Sequence, residues 1–167
     1  MASPAGWPTV VMRQRKADLA GIAETLKTLP FDDPATLHLR RYLVVRCAGY
    51  LESTRDDCIR RYSQDKAAPA VASHVASFLG TGRGVRPQQL RDAIGTFSPS
   101  WAGDFDAFLA ADDERRGSEL GALVASRKRI AHGDGDGVTT RKALDWYGTA
   151  LAIADWLILR YGPQPSP

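Results

Sequence analysis

Apolar residues recur at helical spacing along almost the whole chain of 167 residues. In the clearest stretch they follow one another at intervals of three and four: Leu43, Cys47, Leu51, Thr54, Cys58 and Tyr62. Such spacing places all of these side chains on one face of an amphipathic helix. Asp33 supplies an N-cap and Pro34 a first-turn proline, so the pattern predicts a long central helix from Pro34 to about Gln64.

Six further segments repeat apolar residues at the same period, and most begin or end at a capping residue, a proline or a glycine. They are residues 10–29, 68–79 and 87–97, a segment that begins at Ser98 and Pro99, a segment from 112 or 113 to 132, and a last one from 139 or 140 to 161. No convincing stretch alternates apolar and polar residues as a half-buried strand would. The sequence therefore predicts an all-α, single-domain helical bundle of about six to seven helices.

Four aromatic residues, Phe97, Trp101, Phe105 and Phe108, fall at helical spacing in the middle of the chain. Aromatic rings on one face are able to stack on nucleic acid bases. A stripe at this period is more often part of the core. We therefore expect these rings to pack inside the bundle.

Length and composition limit the number of domains. A chain of 167 residues with 44% hydrophobic residues is long enough for one domain with a substantial core and short for two. We expect residues 1–34 to form an N-terminal segment whose one helix packs on the bundle. Residues 35–162 then form the helical domain, and residues 163–167 form a disordered tail.

Neither a targeting segment nor a membrane span is evident in the sequence. Residues 1–16 lack the apolar run of a signal peptide, and Asp145, Asp155 or Arg160 interrupts the longest apolar stretches elsewhere. We expect a cytoplasmic protein with no membrane partner.

The two cysteines, Cys47 and Cys58, are expected to be buried thiols. Eleven residues on one helix separate them by about 16 Å, whereas a disulfide requires Cα atoms within roughly 7 Å. Two cysteines without a second pair also make a poor zinc site. The aspartates and glycines after residue 133 lack the residue order of a calcium loop. We therefore expect no metal and no cofactor.

The formal net charge is only +3, but basic residues cluster at several places along the chain. Most such clusters are solvated helix faces. The group Arg127, Lys128 and Arg129 differs, because His132 and Gly133 follow it where an apolar-periodic segment stops. We therefore take this basic group as the candidate functional site and expect it to bind a negatively charged partner.

Arg127 and His132 together suggest a reaction on RNA. A guanidinium donates two parallel hydrogen bonds to a phosphate and stabilises the charge of its transition state. A histidine exchanges protons near neutral pH. If His132 takes the proton of a ribose 2′-hydroxyl, or returns one to the departing 5′-oxygen, the strand is cut to a 2′,3′-cyclic phosphate without a metal. The five-residue step turns about 140° past a full helical turn, so the two side chains are not stacked on one face. Arg127 could still reach across the helix end, where the chain turns at Gly133, and a second copy of the helix could supply the missing partner.

The seven residues from Arg127 to Gly133, RKRIAHG in one-letter code, are similar to the R-x4-6-H motif of HEPN (higher eukaryote and prokaryote nucleotide-binding) domains, typically RNxIAHG. The chain resembles in particular the RiboL-PSP-HEPN subgroup, through Tyr50-Leu51-Glu52 in a long early helix, Val138-Thr139 after the histidine turn, and paired aromatics in the last helix. The resemblance covers roughly residues 35–162.

The resemblance implies a helical-bundle endoribonuclease that acts as a homodimer, in which the motifs of two protomers face one cleft. It implies a role as a toxin of a toxin–antitoxin pair or in antiviral defence, with an antitoxin or neighbouring-gene product as a further partner. His132 would be the general acid or base and Arg127 the phosphate ligand, with Lys128 and Arg129 binding the RNA substrate. Some toxins of the superfamily carry a Tyr two residues past the histidine that an antitoxin modifies. This chain has Asp134 at that position, which argues against control of this kind.

Two residues bear on how closely the family chemistry applies. Lys128 stands where the family usually has Asn, which keeps a donor, adds charge and loses the amide acceptor. Glu52, in the family-like early helix, could pair with Arg127 and orient it, or could be a surface carboxylate. The remaining histidines, His38 near a helix start and His74 at the edge of an apolar face, are not expected to be catalytic.

Three classes of function follow from the sequence. The first is a metal-independent endoribonuclease. The second is a non-catalytic HEPN module that binds RNA, a nucleotide or a protein, which the Lys128 departure favours. The third is a scaffold, in which Arg127 pairs with a carboxylate and His132 only caps a helix.

Overall fold

A computed structural model of the chain describes residues 6–80, 84–111, 113–134 and 137–163. Within these ranges it contains seven helices and no strand. The helices are α1 (Val10–Thr28), α2 (Pro34–Lys66), α3 (Pro69–Ser77), α4 (Pro87–Gly95), α5 (Pro99–Ala110), α6 (Arg115–Ala131) and α7 (Thr140–Tyr161). The predicted all-α bundle is confirmed. Residues 164–167 of the predicted tail lie outside the described residues.

The central helix α2 organises the bundle. Its 33 residues span about 50 Å, and α1, α3, α6 and α7 all pack against it. The predicted stripe faces this interior, since Leu43, Cys47, Leu51 and Cys58 are fully buried. Both cysteines are buried free thiols, as predicted, and burial raises the pKa of Cys47 to about 12.

Prolines and caps start the helices where the sequence predicts. Pro34, Pro69, Pro87 and Pro99 each occupy the first turn of a helix. The predicted N-cap of α2 is confirmed, because a side-chain oxygen of Asp33 accepts the backbone N–H of Ala35 at 2.8 Å.

The start of α6 differs from the prediction. The expected start was at Asp112 or Asp113, but the helix begins at Arg115. Asp113 and Glu114 adopt left-handed backbone with φ of 56° and 61°, so neither continues the helix. Asp112 lies outside the described residues.

The N-terminal helix α1 packs on α2 and α7. Trp7, just before it, donates its indole N–H to the carbonyl of Ile158 at 3.0 Å. Lys16 pairs with Asp155 of α7 at 2.7 Å. These contacts join Trp7 and α1 to the C-terminal half of α7. No described helix combines the length and the apolar character that a membrane crossing requires.

Four rings from three parts of the chain meet where α2 and α7 end, and we call this region the aromatic end. Tyr62, Phe97, Trp101 and Tyr161 form five edge-to-face pairs with ring centroids 5.3 to 5.7 Å apart. Edge-to-face pairs add stability beyond the area that they bury. Phe105, one turn further along α5, is fully buried. The prediction that the aromatic stripe belongs to the core is confirmed.

Candidate functional site

The C-terminus of α6 closes in a complete Schellman motif. His132 is the C-cap residue, and Gly133 follows with a φ of +78°. Gly133 donates its N–H to the carbonyl of Ile130 at 3.1 Å, and Asp134 donates to that of Arg129 at 3.0 Å. Glycine adopts this left-handed conformation without strain. The predicted helix stop at Gly133 is therefore confirmed, and the turn fixes the backbone that carries His132.

Both predicted catalytic side chains are exposed to solvent. Arg127 lies on the last two turns of α6, and His132 lies at its end. Among the residues that the structure describes, neither side chain has a hydrogen-bond or ion-pair partner. Each is therefore accessible to a ligand without the loss of an internal contact.

Helical geometry places Arg127 and His132 on different faces of α6 within one protomer. His132 keeps helical backbone at φ −91° and ψ 0°, so the helical geometry of α6 extends through it. Five residues then separate the two by about 7.5 Å along the axis and roughly 140° around it. The two side chains are consequently not stacked on one face of a single α6.

The position of Arg127 around α6 is unusual for a charged residue. It follows Leu120 by seven residues and Leu123 by four, and both leucines are fully buried. Helical geometry places it within about 20° to 40° of these leucines around the axis. Arg127 thus lies on the side of α6 that faces the core, at the point where this side emerges into solvent.

Lys128 and Arg129, the predicted substrate-binding residues, differ in their contacts. Both are exposed. Arg129 donates an N–H to the hydroxyl of Ser126 at 3.1 Å, and Ser126 is buried. Lys128 has no such contact in the described part of the chain. Lys128 is therefore the more available of the two cations.

Glu52 does not contact Arg127. It lies half-buried on α2 and forms no ion pair within the described ranges. The structure therefore does not bring this predicted supporting residue to the motif.

Arg40 is a contact of the motif region that the sequence analysis missed. It is 9% exposed, and it donates one N–H to the carbonyl of Val138 and another to that of Thr36, each at 3.2 Å. Its guanidinium also lies 5.5 Å from the ring of Phe31. The backbone at Val138 is thereby anchored to α2. Its position three residues before Leu43, on the apolar stripe, was the signal that Arg40 is buried.

The first turn of α7 adds further positive charge nearby in the sequence. Thr139 caps this helix, as predicted, by accepting the N–H of Lys142 at 3.2 Å. Arg141 and Lys142 are exposed, and Arg141 has one weak ion pair, to Asp145 at 3.9 Å. We call the last turns of α6, the loop to residue 139 and the first turns of α2 and α7 the motif end.

The described residues of the motif end do not gather metal ligands. Within the described residues, no group of three or more histidines, cysteines, aspartates or glutamates is placed to hold a metal ion. The groups available for chemistry are the exposed imidazole and guanidinium.

Together these observations define an all-α bundle with a basic, exposed R-x4-H motif at one helix terminus. Comparisons of the chain with family models, with curated proteins and with solved structures found no match. The assignment of a function therefore depends on the residues of the motif and on their surroundings.

Proposed function

We propose that the chain is a HEPN-like, metal-independent endoribonuclease whose reacting groups are Arg127 and His132. The observation that supports this most directly is that both side chains are exposed and have no partner among the described residues, at a helix end whose backbone the Schellman turn fixes.

In the proposed reaction, the ribose 2′-oxygen attacks the adjacent phosphorus as its proton leaves, and the bond from phosphorus to the 5′-oxygen breaks. His132 either accepts the first proton or donates one to the departing oxygen. Arg127 binds the phosphate oxygens and stabilises the negative charge that develops on them. The products are a 2′,3′-cyclic phosphate and a 5′-hydroxyl.

A homodimer would complete this site. Because one α6 presents Arg127 and His132 about 140° apart, we propose that a phosphate binds between Arg127 of one protomer and His132 of the other. Lys128 and Arg129 would bind the neighbouring phosphates of the RNA. The exposed Arg141 and Lys142 extend the same basic surface.

The direct test is cleavage of RNA by purified protein in EDTA. We expect cleavage, with 2′,3′-cyclic phosphate ends, and a loss of about 10²- to 10⁴-fold in rate for His132→Ala. His38→Ala and His74→Ala are the matched controls, because both histidines are exposed and lie outside the motif. Circular dichroism should give the same melting temperature for all three. Equal rates for His132→Ala and its controls would refute the proposal.

A mixing experiment tests the shared site. Arg127→Ala and His132→Ala should each be inactive alone, but a mixed dimer keeps one intact pair if each site takes one residue from each protomer. Mixing equal amounts, with subunit exchange, should restore about a quarter of the wild-type rate, since half of the dimers are mixed and each has one of two sites. No restoration would place both residues in one protomer.

A toxin or defence role is the physiological part of the proposal. Expression should arrest growth, and His132→Ala should relieve the arrest. A partner encoded nearby would then suppress the wild-type effect. Growth arrest that persists with His132→Ala would separate the toxicity from the proposed chemistry.

A non-catalytic RNA-binding module is the second candidate, and Lys128 is the observation that favours it. In place of the family's amide it offers only donors, and no described side chain holds His132 in one orientation. Lys128→Asn separates the candidates. For a nuclease, we expect cleavage to persist or rise. For a binding module, fluorescence anisotropy would show RNA binding by both forms with cleavage by neither.

A further inference from the structure

The short helix α3 covers the bundle only loosely. Of the other helices, only α2 packs against it. Its sequence is strongly apolar, yet Ala72 is its one buried residue, and Val71 is 53% exposed. Phe78, its C-cap residue, is 48% exposed. α3 therefore leaves apolar surface, and space, between itself and α4.

This space is a cleft of about 480 Å³ between α2, α3 and α4. Its apolar walls are formed by Ile59, Val75, Phe78, Leu79, Ala93 and Phe97. The volume lies within the range of sites that bind small molecules, which are mostly apolar with a few polar groups. The cleft is thus large enough for a ring system of drug-like size.

A buried ion pair forms one side of the cleft. Arg55 donates two N–H groups to one oxygen of Asp56, at 2.7 and 2.9 Å, and a third to the carbonyl of Gly84 at 2.9 Å. The other oxygen of Asp56 accepts the N–H of Gly80 at 2.9 Å. The pair therefore holds both ends of the α3–α4 connection and neutralises its own charge.

Besides the Arg55–Asp56 pair, the cleft carries the negative charge of Asp92 at its rim. One of its oxygens accepts an N–H of Gln88 at 2.7 Å, and no cation pairs with it among the described residues. Its carboxylate is exposed. On the opposite wall, the ring of His74 lies edge-on to Phe78 at 4.8 Å and is exposed rather than at the edge of the core. The cleft thus combines aromatic walls with a carboxylate that no described cation neutralises.

We propose that this cleft binds an apolar, ring-bearing small molecule that carries an amine. The ring would pack against Phe78 and Phe97, and the ammonium group would pair with Asp92. The site is separate from the motif end, because Arg55 and Arg40 are 15 residues apart on α2, about 22 Å along its axis. The inference does not depend on the proposed nuclease activity.

Three probes of the same shape test the ligand class: 1-naphthylmethylamine, the neutral 1-naphthylmethanol and the anionic 1-naphthoate. Each is titrated into the full chain and followed by two-dimensional amide NMR. We expect saturable shifts in α3 and α4, with the amine binding about two- to five-fold more tightly than the alcohol, and the carboxylate weakest. Asp92→Asn should bring the amine and the alcohol to equal affinity.

Filling the cleft tests its location. Ala93→Phe places a ring in the space and should abolish binding of every probe, with Ala93→Leu as the smaller variant should the first fail to fold. Ala70→Phe, on the exposed face of α3, is the matched control and should bind normally. His132→Ala should also bind normally, which keeps this result distinct from the nuclease test.

Each other outcome overturns part of the proposal. If no probe gives saturable shifts in α3 and α4, or if Ala93→Phe and Ala93→Leu leave binding unchanged, the cleft is not a binding site. If 1-naphthoate binds as tightly as the amine, or Asp92→Asn leaves the preference intact, the amine class is wrong.

Discussion

The aromatic end and the motif end of the bundle differ in how their side chains are used. At the aromatic end, Tyr161 is 2% exposed and its ring contacts three others. At the motif end, Arg127, Lys128 and His132 are exposed and have no partner in the described structure. The rings of the aromatic end contact one another, whereas these three side chains of the motif end form no hydrogen bond, ion pair or ring contact with another described side chain.

This difference separates residues that stabilise the fold from residues that are free to act. Truncating a well-packed ring costs stability, because it removes contacts that folding created. Truncating an exposed, unpaired cation costs the fold little. Substitutions of packed rings at the aromatic end should therefore lower the free energy of unfolding. Substitutions of the exposed cations at the motif end should change it little.

The largest effect on stability is expected at the aromatic end. Tyr161→Ala removes a buried ring and should lower the free energy of unfolding by about 3 to 5 kcal/mol. Leu159→Ala, on the same helix but 78% exposed, should change it by less than about 0.5 kcal/mol. Urea denaturation measures both. Equal effects of the two substitutions would mean that the ring cluster does not support the fold.

A smaller and more local effect on stability is expected at the motif end. Gly133→Ala forces an alanine into left-handed backbone and should cost about 1 to 2 kcal/mol. Gly148→Ala is the control, because no atom lies within 4 Å of the added Cβ and the residue is inside α7. It should stabilise by about 0.5 to 1 kcal/mol.

Amide hydrogen exchange shows which part of the structure Gly133→Ala destabilises. Gly133→Ala should speed exchange of the amides at 133 and 134, whose hydrogen bonds close the turn, and leave the C-terminal turns of α7 unchanged. Faster exchange throughout α7 instead would show that the two ends unfold as one unit.

Alkaline pH should lower the stability of the fold through Tyr161 at the aromatic end. Burial raises the pKa of Tyr161 above its ordinary value of 10.0. The folded state then holds this proton more tightly than the unfolded state, so the stability it contributes is full below pH 10 and falls as pH rises further. The slope is at most about 1.4 kcal/mol per pH unit for one group.

Tyr161→Phe should reduce that slope, as thermal melts between pH 9 and 12 would show. A residual slope is expected, because burial also raises the pKa of Tyr50 and of Cys47 to about 12. Identical slopes for wild type and Tyr161→Phe would mean that Tyr161 does not titrate differently in the two states.

Much of the fold could be predicted from the sequence because the local signals are strong. Pro87 and Pro99 set a helical φ at a first turn, and Gly133 permits the left-handed residue that ends α6. The start of α6 was predicted wrongly, because an aspartate can cap a helix but can also adopt left-handed backbone, as Asp113 does.

The contacts between distant segments could not be predicted in the same way. The burial of Arg40 depends on the loop at Val138, which is 98 residues away in sequence. The cleft depends on how α3 lies relative to α4, which the spacing of their apolar residues does not determine. Arg127 and His132 were predictable as exposed neighbours of a helix end, but their contact in a dimer stays a prediction.

The buried guanidinium of Arg40 has a consequence for the response to ionic strength. A guanidinium is a positively charged group. Salt weakens the field of the exposed Arg127, Lys128 and Arg141 but screens an enclosed charge much less. Part of the positive potential beneath the loop at Val138 therefore persists in concentrated salt, where the surface cations no longer attract an anion.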